Sequence, residues 1–171
     1  VLLAEGVEPR LAFGIQGYDG RSVSEPAGES NERGSREGFI EKLRPNLALV
    51  RRRFKSADLT FEMVNFGVKS RTDGALVYLR GAVSPELLEE VRRRLSQVKI
   101  DVVLESGYLQ PFLDAKPLSI FSGVGYTERP DTLCAKVSEG RIGLLVDGTP
   151  YALVVPYLFN EHFQSFDDYA H

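Results

Sequence analysis

From Leu59 to Val155, short apolar runs of strand length alternate with apolar stripes of helical period, and no other feature constrains the fold as much. Leu59 to Val68 and Ala75 to Arg80 are rich in β-forming residues and flank a polar turn that ends in Asp73-Gly74. Ser84 then offers a helix N-cap with Pro85 at the first helical position. Leu87, Leu88, Val91, Leu95 and Val98 make one buried stripe, and Glu89–Arg93 and Glu90–Arg94 stand at i,i+4 on the wet side. Asp101 to Glu105 is a short strand candidate, followed by a brief helix holding Leu109, Phe112 and Leu113. Another helix runs from about Pro130 to Glu139 and stops at Gly140, an αL terminator. Ile142 to Val146, the Asp147-Gly148 turn and Ala152 to Val155 close the sheet. Strands interleaved with helices predict an α/β fold, a mixed sheet with flanking helices.

Upstream of Leu59 the signal changes. Phe39, Ile40, Leu43, Leu47, Val50 and Phe54 recur at helical spacing, so Arg36 to Phe54 reads as helix. Pro45 inside that pattern should kink it or split it in two. Leu11 to Gln16 reads as a short strand, and Gly17 to Ser35, rich in Gly, Ser and Glu, as a long loop. Leu2 to Gly6 followed by Leu11-Ala12-Phe13 echoes Leu144 to Gly148 followed by Ala152-Leu153-Val154: strand, acidic-Gly turn, strand. Two ordinary hairpins explain the echo, and so do two related lobes of which the first is truncated.

Composition narrows the function classes. With 171 residues, 43% apolar and 26% charged, the chain can bury a core as one domain or two small lobes. One cysteine, Cys134, excludes an internal disulfide framework, and two histidines, His162 and His171, leave little for histidine chemistry. The longest uncharged run, Gly148 to Asn160, falls short of the roughly 20 residues of a membrane span. A chain that opens at Val1 with no Met and no signal pattern reads as a piece of something longer. Net charge is −3 but unevenly spread. Residues 1–32 carry six acids and two bases, residues 33–55 eight bases and two acids.

Three arginine-bearing segments carry the remaining signal. In Arg51-Arg52-Arg53, a continuous helix would put Arg51 and Arg36 on the stripe of Leu47 and Phe54, with Arg52 and Arg53 outward. An arginine on an apolar face needs a carboxylate, and Glu25 and Glu29 are the nearest in the acidic loop. The alternatives are an internal ion-pair network or a partner-facing basic patch; no interleaved aromatics support nucleic-acid binding. Arg33-Gly34-Ser35-Arg36-Glu37-Gly38-Phe39 resembles a glycine-bearing loop feeding a helix N-terminus, with Ser35 as N-cap and without phosphate-loop spacing. In Thr127-Glu128-Arg129-Pro130-Asp131, Pro130 holds Arg129 extended and starts a helix, with both acids near its positive end. No nucleophile–base pair is present, and Cys134, beside Leu133 and Val137, reads as core.

Taken in order, Ser24-Glu25-Pro26, the Arg33 to Phe39 segment, Asn46 to Arg53, Thr127 to Asp131, Asp147-Gly148-Thr149-Pro150 and Gln164 to Tyr169 resemble the spore germination protein family of the GerA type. The resemblance, over Arg21 to Tyr169, is to the A subunits of nutrient germinant receptors and to SpoVAF-like relatives. Ser35 departs from the pattern, which usually has proline there.

The resemblance implies a soluble region of a membrane protein of endospore-forming bacteria, built from two α/β lobes. This chain would hold the second lobe, residues 33–171, with the last strands of the first lobe and its acidic loop in residues 1–32. It further implies a non-enzymatic signalling and assembly domain in a receptor of the spore inner membrane, with other germinant receptor subunits as partners. On the residues themselves, no cofactor, metal or nucleic-acid partner is expected. The rival is a domain that binds a small nutrient germinant directly, between lobes. Arg33, Arg36, Glu37, Asn46, Arg51, Arg53, Glu128, Arg129 and Asp131 are the interaction candidates. The aromatic stripe Phe159, Phe163 and Phe166 is expected either to pack on this domain or to meet a neighbour.

Overall fold

The structure is a computed structural model that describes residues 37–114 and 123–156. Helix α1 (Leu43–Arg53) leads into strands β1 (Leu59–Phe66) and β2 (Thr72–Leu79), then helix α2 (Pro85–Ser96). A short 3-10 turn at Ser106–Tyr108 and helix α3 (Gln110–Leu113) follow. Strand β3 (Gly125–Thr127), helix α4 (Pro130–Ser138) and strands β4 (Ile142–Val146) and β5 (Ala152–Val155) complete the described chain.

The strands form one five-stranded sheet in the order β1-β2-β4-β5-β3. Alternate side chains of the central strands enter two separate cores. Ala75, Val77, Leu145, Ala152 and Val154 meet Leu43 and Val50 of α1 and Leu133 and Val137 of α4. Leu76, Ile142, Leu144, Val146, Leu153 and Val155 meet Leu87, Val91 and Leu95 of α2 with Leu109 and Leu113. Each such valine, leucine or isoleucine is worth roughly 1.5–3 kcal/mol when taken out of water. Helices on both faces of an α/β sheet are as expected. The sheet itself is narrower than the mixed one expected, because all four described pairings are antiparallel. The strands β3 and β4 do run the same way on either side of the α4 crossover, but β5 lies between them and pairs with both.

Local expectations divide cleanly. Ser84 caps α2 by accepting from Leu87 N at 3.1 Å, Gly140 ends α4 at φ +92, and the closing strands fall where the apolar runs put them. Three expectations are corrected. Residues 37–42 are not helical; Pro45 stands in the first turn of α1, where its missing N–H removes no helical bond, so it starts the helix instead of kinking it. Asp73 and Gly74 belong to β2, paired with Asn65 and Val64, and the turn is Gly67 to Arg71. Asp101 to Glu105 is no strand; its backbone is held on the Gly67–Arg71 turn, with Lys69 N on Asp101 O at 2.8 Å and Val103 N on Ser70 Oγ at 3.0 Å.

Candidate functional site

The start of α1 is capped from across the fold. Lys42 provides no side-chain cap, and Leu43 N instead donates to Asp147 Oδ1 at 2.9 Å, setting a carboxylate at the positive end of the helix. The Asp147 turn holds two more segments: Gly148 N donates to Glu41 O at 2.7 Å, and Thr149 Oγ1 accepts from Ser106 N at 2.9 Å. Gly148 lies at φ +87, and a Cβ there would fall 2.9 Å from Leu104 O, so the close approach needs glycine.

One turn into α1, Asn46 is fully buried. Its Oδ1 accepts from Ile40 N at 2.9 Å and its Nδ2 donates to Ile40 O at 2.5 Å, so residues 37–42 lie along the helix rather than extending it. The same segment reaches the β3–α4 connection, where Phe39 N donates to Glu128 O at 2.8 Å. Glu37 receives both Arg52 and Arg53, the latter at 2.7 Å. The Arg52 hydrogen bond, with Arg53 adding to it, holds the Glu37 carboxyl below its usual range. Arg129 is buried and grips Asp131 with two nitrogens, Nε at 3.1 Å and Nη2 at 2.5 Å. Burial works against charge on Asp131, but Arg129 and the Thr132 N–H outweigh it and lower its pKa.

Glu37, Asn46, Arg53 and Glu128 are therefore brought together around residues 37–42, with the Arg129–Asp131 pair next in the chain. Arg51 stands apart and corrects the expectation of a buried arginine on a carboxylate. It is exposed, its Nη1 and Nη2 donate to Ser56 O and Leu59 O at 2.9 Å each, and its guanidinium lies 4.7 Å from the Phe61 ring centre. The outward arginines Arg52 and Arg53, not Arg51, take the acid. Arg33 and Arg36, the acids Glu25 and Glu29 and the phenylalanine stripe lie outside the described residues.

Sequence reading missed a second ion cluster. Glu62 of β1 accepts from Arg92 of α2 at 2.6 Å and from the Tyr78 hydroxyl at 3.1 Å. The Arg92 hydrogen bond lowers the Glu62 pKa, while burial and then Glu62 raise that of Tyr78. No sequence spacing announces this contact, because its members come from three elements. Chemistry is otherwise sparse. A cavity lined by Leu87, Val91, Leu113 and Val155, together with the Glu90–Arg94 ion pair, holds about 20 Å³, the room of one water. Burial pushes the Cys134 thiol up, and among the described residues no three metal-binding side chains converge.

In this layered α/β domain the described motif residues Asp147, Asn46, Glu37, Arg53, Arg129 and Asp131 are engaged within its own frame. Over residues 1–171 the chain matches the family model described as Bacillus/Clostridium GerA spore germination protein, and it belongs to that family. It is 38% identical over 169 residues to spore germination protein KA of Bacillus subtilis, covering 99% of this chain and 31% of that protein. It is 43% identical over 169 residues to the uncharacterized membrane protein YfkQ of the same organism, covering 99% of this chain and 33% of that one. A solved structure, the N-terminal domain of the A subunit of the Bacillus megaterium spore germinant receptor GerK3, aligns with a TM-score of 0.57 and 39% identity, over 72% of this chain and 98% of that one. The chain spans about a third of the length of the curated relatives it matches. No helix among the described residues is long and apolar enough to cross a membrane.

Proposed function

We propose that this chain is a non-enzymatic signalling and assembly domain of a nutrient germinant receptor A subunit, acting at the spore inner membrane with the other receptor subunits. One observation carries the reading. Among the described residues, side chains of the family motifs bind within this domain: Asp147 caps α1, Asn46 holds Ile40, and Glu37 joins Arg52 and Arg53. Such residues make a rigid platform. In this reading residues 33–171 are the second of two α/β lobes.

Calorimetric titration of the chain with nutrient germinants tests it. No heat of binding up to millimolar nutrient is expected. Saturable binding would replace this reading with direct germinant recognition between the lobes.

A further inference from the structure

The turn that caps α1 is built from a dipeptide open to one kind of covalent damage. Asp147 supplies the carboxylate at the start of the helix, and glycine must follow it, because a Cβ at residue 148 would fall 2.9 Å from Leu104 O. In an Asp-Gly pair the glycine nitrogen has no side chain beside it as a shield, so it can attack the aspartate Cγ. The new C–N bond closes a five-membered imide, and one water leaves, made of the carboxyl OH and the amide hydrogen. Water then adds at the former main-chain carbonyl and breaks its bond to nitrogen. The product is isoaspartate, of unchanged mass, with the chain running through the side-chain carbons and the carboxylate on Cα.

Burial does not protect this site, since Asp147 and Gly148 are both exposed. Hydrogen bonds stand in the way instead. Ring closure needs the Asp147 side chain to swing onto Gly148 N, and Gly148 N to leave its present direction. Asp147 Oδ1 is held by Leu43 N at 2.9 Å, and Gly148 N donates to Glu41 O at 2.7 Å. Asp147 N donates to Asp73 O at 2.8 Å, which ties the same turn to β2. The other Asp-Gly pair of the described residues, Asp73-Gly74, lies inside β2 with partners on both β1 and β4. That pair opens only with the sheet, whereas Asp147-Gly148 opens when residues 41–43 let go.

We infer that Asp147-Gly148 is a latent site of isoaspartate formation, kept closed by its bonds to Glu41 and Leu43. Covalent ageing at this turn therefore follows release of the start of α1. The isomer lengthens the turn by one main-chain atom and moves the carboxylate to Cα. It no longer matches the helix N-terminus, and a passing release becomes permanent.

The test ages the full-length protein near neutral pH beside a synthetic peptide of residues 142–152, which has the same sequence without the fold. Isoaspartate at 147 and 73 is followed by peptide chromatography and isoaspartyl methyltransferase labelling. Formation at 147 should be at least about tenfold slower in the protein than in the peptide, because the reaction waits on local opening. Leu43→Pro removes the donor to Asp147 and suits the first helical position, since Lys42 before it is already extended. In a Leu43→Pro protein that still melts cooperatively, the rate at 147 should rise about tenfold and that at 73 should stay unchanged. Asp147→Asn keeps an acceptor for Leu43 N and reports the same attack through loss of ammonia. It too should react at least about tenfold more slowly in the protein than in the peptide carrying the same change, and it decides alone if Leu43→Pro does not fold. Equal rates in protein and peptide, for the wild type or for Asp147→Asn, overturn the inference. A folded Leu43→Pro protein that ages faster at both positions, or at neither, also overturns it.

Discussion

A polar side chain sealed from water keeps its place only when each of its hydrogen-bonding groups is matched, and Asn46 satisfies that condition against both backbone groups of Ile40. Asn46→Ala should leave those two buried groups without partners and destabilise the chain by about 2–4 kcal/mol. Urea unfolding checks this, and a loss under about 1 kcal/mol would show that residues 37–42 are held by something else. Acid sensitivity lives at the same scale. Hydrogen bonds from Arg93 and then Arg94 push the Glu90 carboxyl down to about 2 from 4.5. A carboxyl lowered in the folded state adds stability that is fully present above pH 4.5 and disappears as pH falls through 2. The group is partly exposed, so the gain stays under ~1 kcal/mol. Melting temperatures of the wild type and Glu90→Gln should differ near pH 6 and converge toward pH 2.

At the scale of elements, α4 is confined at both ends. Pro130 and the Arg129–Asp131 pair open it, and Gly140 closes it in the left-handed region with a Cβ position 2.5 Å from Ala82 O. Gly140→Ala meets both a positive-φ penalty of roughly 1–2 kcal/mol and that collision. Its loss in a thermal melt should exceed the penalty alone. A variant that melts with the wild type would mean that the Ala82 loop yields freely. The boundaries of α2, α4, β4 and β5 were legible because caps, prolines and glycines act within a few residues of where they stand. The start of α1 was not. Phe39 and Ile40 keep the apolar period into a segment that is not helical, because Asn46 and Glu128 offer its backbone better partners than one more turn would.

For the whole molecule, Glu37 holds Arg52 and Arg53 of the basic stretch 33–55, and the chain as a whole carries a net charge of −3. The chain should therefore show no salt-sensitive binding to duplex DNA. A slope of log affinity against log salt near zero is expected, whereas a steep one would reveal a phosphate-binding face. The fold explains why alternation alone overstated the parallel character of the sheet. The strands β2, β4 and β5 are covered on both faces, so they read as continuous apolar runs like the strands of a parallel sheet.

Period, caps and turn residues settle which segments are helix or strand, because those preferences act over a few residues, and the ordered motifs carry the family. Pairing across the chain is decided only when distant segments meet. Asp147 finds the α1 N-terminus 104 residues away, Arg92 finds Glu62 across 30, and Arg51 turns to two carbonyls and a phenyl ring in place of an acid. Each of these partners satisfies a hydrogen bond or a charge at a distance set by the packed sheet, and local sequence carries no record of that distance.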